Sequence, residues 1–182
     1  MDIFAEQIVK KKSTGKTVAL KVLIIAGVVI LSAGCLFLML CGLGIAFFLG
    51  VGIVYGGYYL LSGMDCEYEY IVTNGEIDVD KIIAKRKRKR LITAKAPLFE
   101  RFGKLCDAPE PDSDATIVLA EGEGNGEENY YADFTHASVG NVRLIFTPES
   151  KIIEAVRPFL PRNTRVEFDR TYGAAIPSSN NE

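Results

Sequence analysis

The sequence predicts an α+β membrane protein: an N-terminal hairpin of two transmembrane helices, then a small antiparallel β-rich domain of about six strands, closed by a C-terminal amphipathic helix. Three observations carry this. The chain runs from Val22 to Met64 without one charged side chain. Beyond Met64, short alternating segments are separated by turn residues. After Phe146 the apolar period switches from two to that of a helix.

The uncharged run is too long for one crossing. As a single helix it would measure about 60 Å, twice the roughly 30 Å of a bilayer core. Two passes of about 20 residues fit, one over 18–40 and one over 45–64, with Gly42 and Gly44 at the fold-back. A secretory signal has a much shorter apolar core. Leu31-Ser-Ala-Gly-Cys35 is similar to a lipoprotein signal but departs from it at Ser32 and in the apolar residues after Cys35. Lys10, Lys11, Lys12, Lys16 and Lys21 precede the run and the turn is uncharged, which predicts a cytoplasmic N-terminus and returns the C-terminal domain to the same side. Tyr55, Tyr58 and Tyr59 suit the membrane interface. Gly52 and Gly56 form G-x-x-x-G, and Gly42 with Ala46 repeats small-x-x-x-small. Such spacing serves close helix packing, either within the hairpin or with another copy or membrane protein. Residues 1–17 form a cytoplasmic segment. Phe4 and Ile8, four apart, suit a short interfacial helix, and disorder suits the same residues.

The domain over 65–170 begins with Cys66–Thr73, which places Tyr68, Tyr70 and Val72 on one face. Asn74-Gly75 predicts a type I′ hairpin turn into Glu76–Ala84. Leu91–Ala96 is a third strand, ended by Pro97, and 98–105 reads as a helical turn. Thr116–Ala120, Asn129–His136 and Val142–Thr147 are further strands, with acidic loops at 108–114 and 121–128. Thr147-Pro148 suits a helix start. Ile152, Ile153, Val156, Phe159 and Leu160 make its stripe, which Pro158 and Pro161 kink or end. Residues 171–182 read as a disordered tail.

Strands followed by one closing helix, Tyr70-Ile-Val-Thr-Asn-Gly-Glu-Ile-Asp-Val79 just after a span, and Arg143-Leu-Ile-Phe-Thr-Pro148 before the helix resemble the pleckstrin-homology-like (PH-like) fold of bacterial membrane proteins. Together with Met1-Asp-Ile-Phe-Ala-Glu-Gln-Ile-Val-Lys-Lys-Lys12, the chain looks like an uncharacterised family of small bacterial two-span proteins. That resemblance implies a PH-like cytosolic domain and brings no established activity.

Charge is sharply divided. Lys81 to Lys104 holds ten basic residues and one acidic one, whereas Leu105 to Val142 holds nine acidic residues and no basic one. Lys85, Arg86, Lys87, Arg88, Lys89 and Arg90 run consecutively. Six cations cannot alternate, so this segment is expected to protrude as a hairpin tip, where it suits anionic phospholipid headgroups. No aromatic platform is interleaved, which argues against nucleic acid. The acidic stretch lacks a calcium-loop pattern, the cysteines are not clustered, and His136 is the sole histidine, so no metal, cofactor or catalytic group is expected. Asp133 would face away from His136. The expected function is a membrane-anchored, non-enzymatic binding or scaffold module that touches anionic lipid or a membrane partner through the basic tip. The alternative is a small structural or regulatory subunit of a membrane complex, with Gly42, Ala46, Gly52 and Gly56 of the hairpin as its interface.

Overall fold

A computed structural model describes residues 2–123 and 128–173. Of the tail predicted over 171–182, Thr171 and Tyr172 end a helix instead, and the residues beyond 173, like the centre of the acidic glycine loop, lie outside the described residues. The chain divides into two compact units, 13–66 with 83–86, and the remainder.

The first unit is the apolar hairpin. Helix α1 spans Gly15–Leu40 and α2 spans Ala46–Gly63, within three residues of the predicted spans. Both are long and apolar enough to cross a membrane. At 1.5 Å per residue they measure about 39 and 27 Å. Gly42 makes the fold-back with φ +98°, a conformation that a side chain disfavours. Ser32 donates its hydroxyl to Val28 O at 2.6 Å, so its polar group is satisfied inside its own helix.

Among the described residues, the second unit is a β domain of eight strands rather than six, in two four-stranded sheets ordered β1-β2-β3-β4 and β5-β7-β8-β6. The strands are β1 (Phe4–Lys10), β2 (Cys66–Thr73), β3 (Glu76–Ile83), β4 (Lys87–Lys95), β5 (Phe99–Lys104), β6 (Thr116–Ala120), β7 (Tyr130–His136) and β8 (Gly140–Phe146). Asn74 and Gly75, at φ 49° and 84°, form the expected β2–β3 turn. The sheets are not wholly antiparallel, since β6 runs parallel to β8.

Two strands were hidden from pattern reading. Residues 4–10 are neither an interfacial helix nor disordered. They form β1, antiparallel to β2 with Phe4 opposite Thr73 and Lys10 opposite Glu67. Ile3, Ala5 and Val9 pack towards the core, while Phe4 and Ile8, the pair that suggested a helix, are exposed. The β domain therefore includes chain from both sides of the hairpin, which corrects the expected 65–170 boundary. The second hidden strand is β5. Phe99 and Phe102 are three apart and both buried, which reads as helical, but a register shift between Phe99 and Arg101 puts both inward from a strand.

The inward faces meet in one core. Tyr70, Val72, Ile77 and Val79 come from the first sheet, and Phe99, Phe102, Phe134, Leu144 and Phe146 from the second. Helix α3 (Ser150–Val156) adds Ile152, Ile153 and Val156, and α4 (Arg162–Tyr172) adds Phe168, whose ring lies 5.0 Å from that of Phe102. Pro158 falls in a single 3₁₀ turn and Pro161 precedes α4, so the prolines divide the predicted helix into two. Helix α3 starts later than Thr147 predicts. The Thr147 hydroxyl instead donates to Asn129 Oδ1 at 2.7 Å and accepts from Gly122 N at 3.0 Å.

Candidate functional site: the basic β3–β4 hairpin

The six cations do not form one protruding tip. Only Lys85 and Arg86 lie in the turn, and Lys87–Arg90 are the first four residues of β4. A two-residue turn of the primed type needs positive φ at both centres, and here Ala84 and Lys85 supply it at 54° and 55°. Neither is glycine, so each carries a left-handed penalty of roughly 1–2 kcal/mol. The turn is held by Arg86 N to Ile83 O at 3.1 Å and by Ala84 N to Asp65 O at 2.8 Å. Asp65 follows the C-cap of α2, Met64, and its carboxylate accepts from Lys21 Nζ of α1 at 2.7 Å. Lys21 and the Lys85–Arg86 turn thus both meet Asp65, just past the end of the uncharged run.

All six cations are exposed, but they are not equivalent. Arg88 Nη2 donates to Glu69 Oε1 of β2 at 3.0 Å. Arg90 meets both Asp78 and Asp80 of β3 at 2.5 Å, and Thr93 also donates to Asp78 at 2.6 Å. Hydrogen bonding to Asp80 holds Arg90 protonated still more firmly than usual. Lys85, Arg86, Lys87 and Lys89 form no ion pair among the described residues. Strand alternation explains the division, because Arg88 and Arg90 are two apart and share a face.

Glu69 is the unusual member. Tyr68 and Tyr70 point into the core, so Glu69 between them faces outward, yet its side chain is only 1% exposed. Its second oxygen, Oε2, has no hydrogen-bond partner. Burial pushes the carboxyl above its ordinary range; Arg88 opposes this, and nearby Glu6 and Asp80 add to it.

The acidic half of the chain is answered by two arginines. Asp133 and Arg143 are opposite one another on β7 and β8 and form a doubly hydrogen-bonded pair at 2.6 Å, both residues buried. Arg143 also donates to Pro109 O at 2.6 Å, and Arg101 to Asp112 at 3.0 Å. The 108–114 loop is solvent-exposed over 109–114, as expected, and is also pinned to the outer face of the second sheet. No group of three or more metal-ligating side chains occurs among the described residues.

The hairpin glycines also divide. Gly42 serves the turn and Ala46 is buried. A side chain at Gly57 would come within 2.4 Å of Val28, and one at Gly50 within 3.4 Å of Cys35, so these two set the helix approach. Around Gly52 and Gly56 a side chain would meet nothing within 4 Å. That G-x-x-x-G pair does not pack the hairpin on itself.

The pattern of one family, described as a bacterial PH-like domain (DUF6106), matches residues 1–166. The chain belongs to that family. The matched residues include β1 and both apolar helices as well as the two sheets, so this bacterial PH-like domain is interrupted by the hairpin within its own pattern. No curated protein and no solved structure matches the chain.

Proposed function

We propose that this DUF6106 protein is a non-enzymatic binding module anchored in the bacterial cell membrane, with its β domain in the cytoplasm and the Lys85–Arg86 turn resting on anionic phospholipid headgroups. The observation that carries this reading is the hydrogen bond from Ala84 to Asp65, which ties the basic turn to the end of an apolar helix. A basic residue near such a surface contributes about 1 kcal/mol, and its reach is limited to about 8 Å at physiological salt. The four unpaired cations together therefore supply up to about 4 kcal/mol. The topology has a support independent of lysine counting: strand β1 precedes the hairpin, β2 follows it, and the two are hydrogen-bonded neighbours, an arrangement that favours both ends of the hairpin on one side.

The test uses the full chain in lipid nanodiscs, with and without phosphatidylserine. Acetylation of Lys85, Lys87 and Lys89, read by mass spectrometry, should slow in anionic discs and recover at high salt. Equal labelling in both discs would remove the reading.

A second reading, a small subunit that offers its hairpin to another membrane protein or to itself, is favoured by the open space around Gly52 and Gly56. Gly56→Leu should then abolish self-association or copurification while leaving the hairpin folded.

A further inference from the structure

We propose that Glu69 regulates the basic strand by holding Arg88 off the lipid while ionised and releasing it when protonated. The inference rests on the lipid reading above and adds a proton to it.

The geometry is specific. Glu69 sits on β2, one strand in from the edge, opposite Ile8 of β1. The charged groups around it are Glu6 of β1, Asp80 of β3 and Arg88 of β4. Arg88 reaches across β3 to bond one carboxylate oxygen. The other oxygen is buried and has no hydrogen-bond donor, and the Glu6 carboxyl lies close enough to share a proton with Glu69, an arrangement that favours a proton over a charge. A proton taken from water onto Oε2 leaves Arg88 with a neutral acceptor and removes one negative charge from the face. The Arg88 side chain is already 61% exposed, so its release to a phosphate requires no rebuilding of the sheet. Asp78 and Asp80 keep Arg90 in place throughout, because it has two carboxylates and Arg88 has one.

The experiment uses the full chain in nanodiscs containing a headgroup-spin-labelled lipid. The readout is the phosphatidylserine fraction that half-broadens the Lys87 and Lys89 amide signals. One unit of charge at an anionic surface corresponds to about a fivefold change. Glu69→Gln should lower the required fraction about fivefold at neutral pH. Acidification should bring the wild type to the same value, and the part of that response due to Glu69 should be missing from the variant. Arg88→Gln should cost less than twofold with Glu69 present and about fivefold in the Glu69→Gln background. An equal cost in both backgrounds means simple charge addition and overturns the proposal. Unchanged lipid dependence in Glu69→Gln also overturns it, while leaving lipid contact standing. Absence of broadening in every protein at every pH removes both. The β2 amide signals report whether each variant is folded, and the wild-type pH series compared with Arg88→Gln tests the same release should Glu69→Gln fail to fold.

Discussion

Gln7 and Thr147 are joined across the β domain: the Gln7 Nε2 donates to Thr147 O at 3.1 Å, and its Oε1 accepts from Glu149 N at 2.8 Å. One buried amide thus satisfies both backbone groups where β8 turns into α3. Gln7→Ala leaves them unpaired, at a cost of about 1–3 kcal/mol each at most. We expect a loss of about 2–4 kcal/mol in chemical denaturation of the detergent-solubilised chain, with the Glu149 amide losing hydrogen-exchange protection.

The Asp133–Arg143 pair gives a second test. Removing one partner strands a buried charge and costs about 3–5 kcal/mol, whereas replacing both with apolar residues of similar volume is often close to neutral. Asp133→Leu and Arg143→Met should each strongly lower the denaturation midpoint. The double variant should recover most of the loss, less the bond to Pro109 O.

Strain and charge separate at Lys85. Lys85→Gly relieves a left-handed side chain, partly offset by greater freedom of the unfolded chain, and should raise stability by roughly 0.5–1 kcal/mol. It also removes a cation, so headgroup contact should weaken. Stability and lipid protection moving in opposite directions, measured by denaturation and by acetylation of Lys87, is the expected outcome.

Glu69 makes stability depend on pH in the direction opposite to most carboxylates. Its folded pKa is raised, so the native state binds the proton more tightly than the unfolded chain does. The stabilisation is fully present below the unfolded glutamate value of about 4.5 and is lost as pH rises through the folded value. Glu69→Gln should therefore be more stable than wild type at neutral pH, with the difference closing in acid. Denaturation midpoints compared between about pH 4 and about pH 7 check this.

The hairpin packing is testable by cross-linking. A Cβ at position 50 lies 3.4 Å from Cys35 Cβ, close to the roughly 3.5–4.5 Å of a disulfide. Gly50→Cys, with Cys41, Cys66 and Cys106 replaced by Ser, should form that bond under mild oxidant. Adding Gly57→Val forces a clash with Val28 worth about 1–3 kcal/mol and should reduce the yield. Gly52→Val should leave it unchanged.

Long, uniform features were legible in the sequence. The uncharged run specified two helices because an apolar segment that satisfies all its backbone groups within itself is a helix, and Asn74-Gly75 specified its turn. Features that break alternation were not. Phe4 and Ile8 face outward and Gln7 inward, which inverts the usual code and makes an edge strand look like a surface helix. The bulge after Phe99 imitates helical spacing. In sequence the basic run presents six equal charges. Asp78 and Asp80 on the neighbouring strand were visible as a pair, but their match to Arg90 depends on a register that the pattern does not specify. Glu69 carried no mark at all: a glutamate between two tyrosines reads as a solvent-facing residue.

The placement of β1 also constrains how the protein is made. Its partner strand follows both apolar helices in the chain, so residues 4–10 must wait unmated until β2 has been made. Export of that short leader across the bilayer would leave the first sheet one strand short, with Gln7 unable to reach Thr147. On the proposed reading, insertion of the hairpin would be a step in the folding of the β domain, and errors in one would become defects in the other.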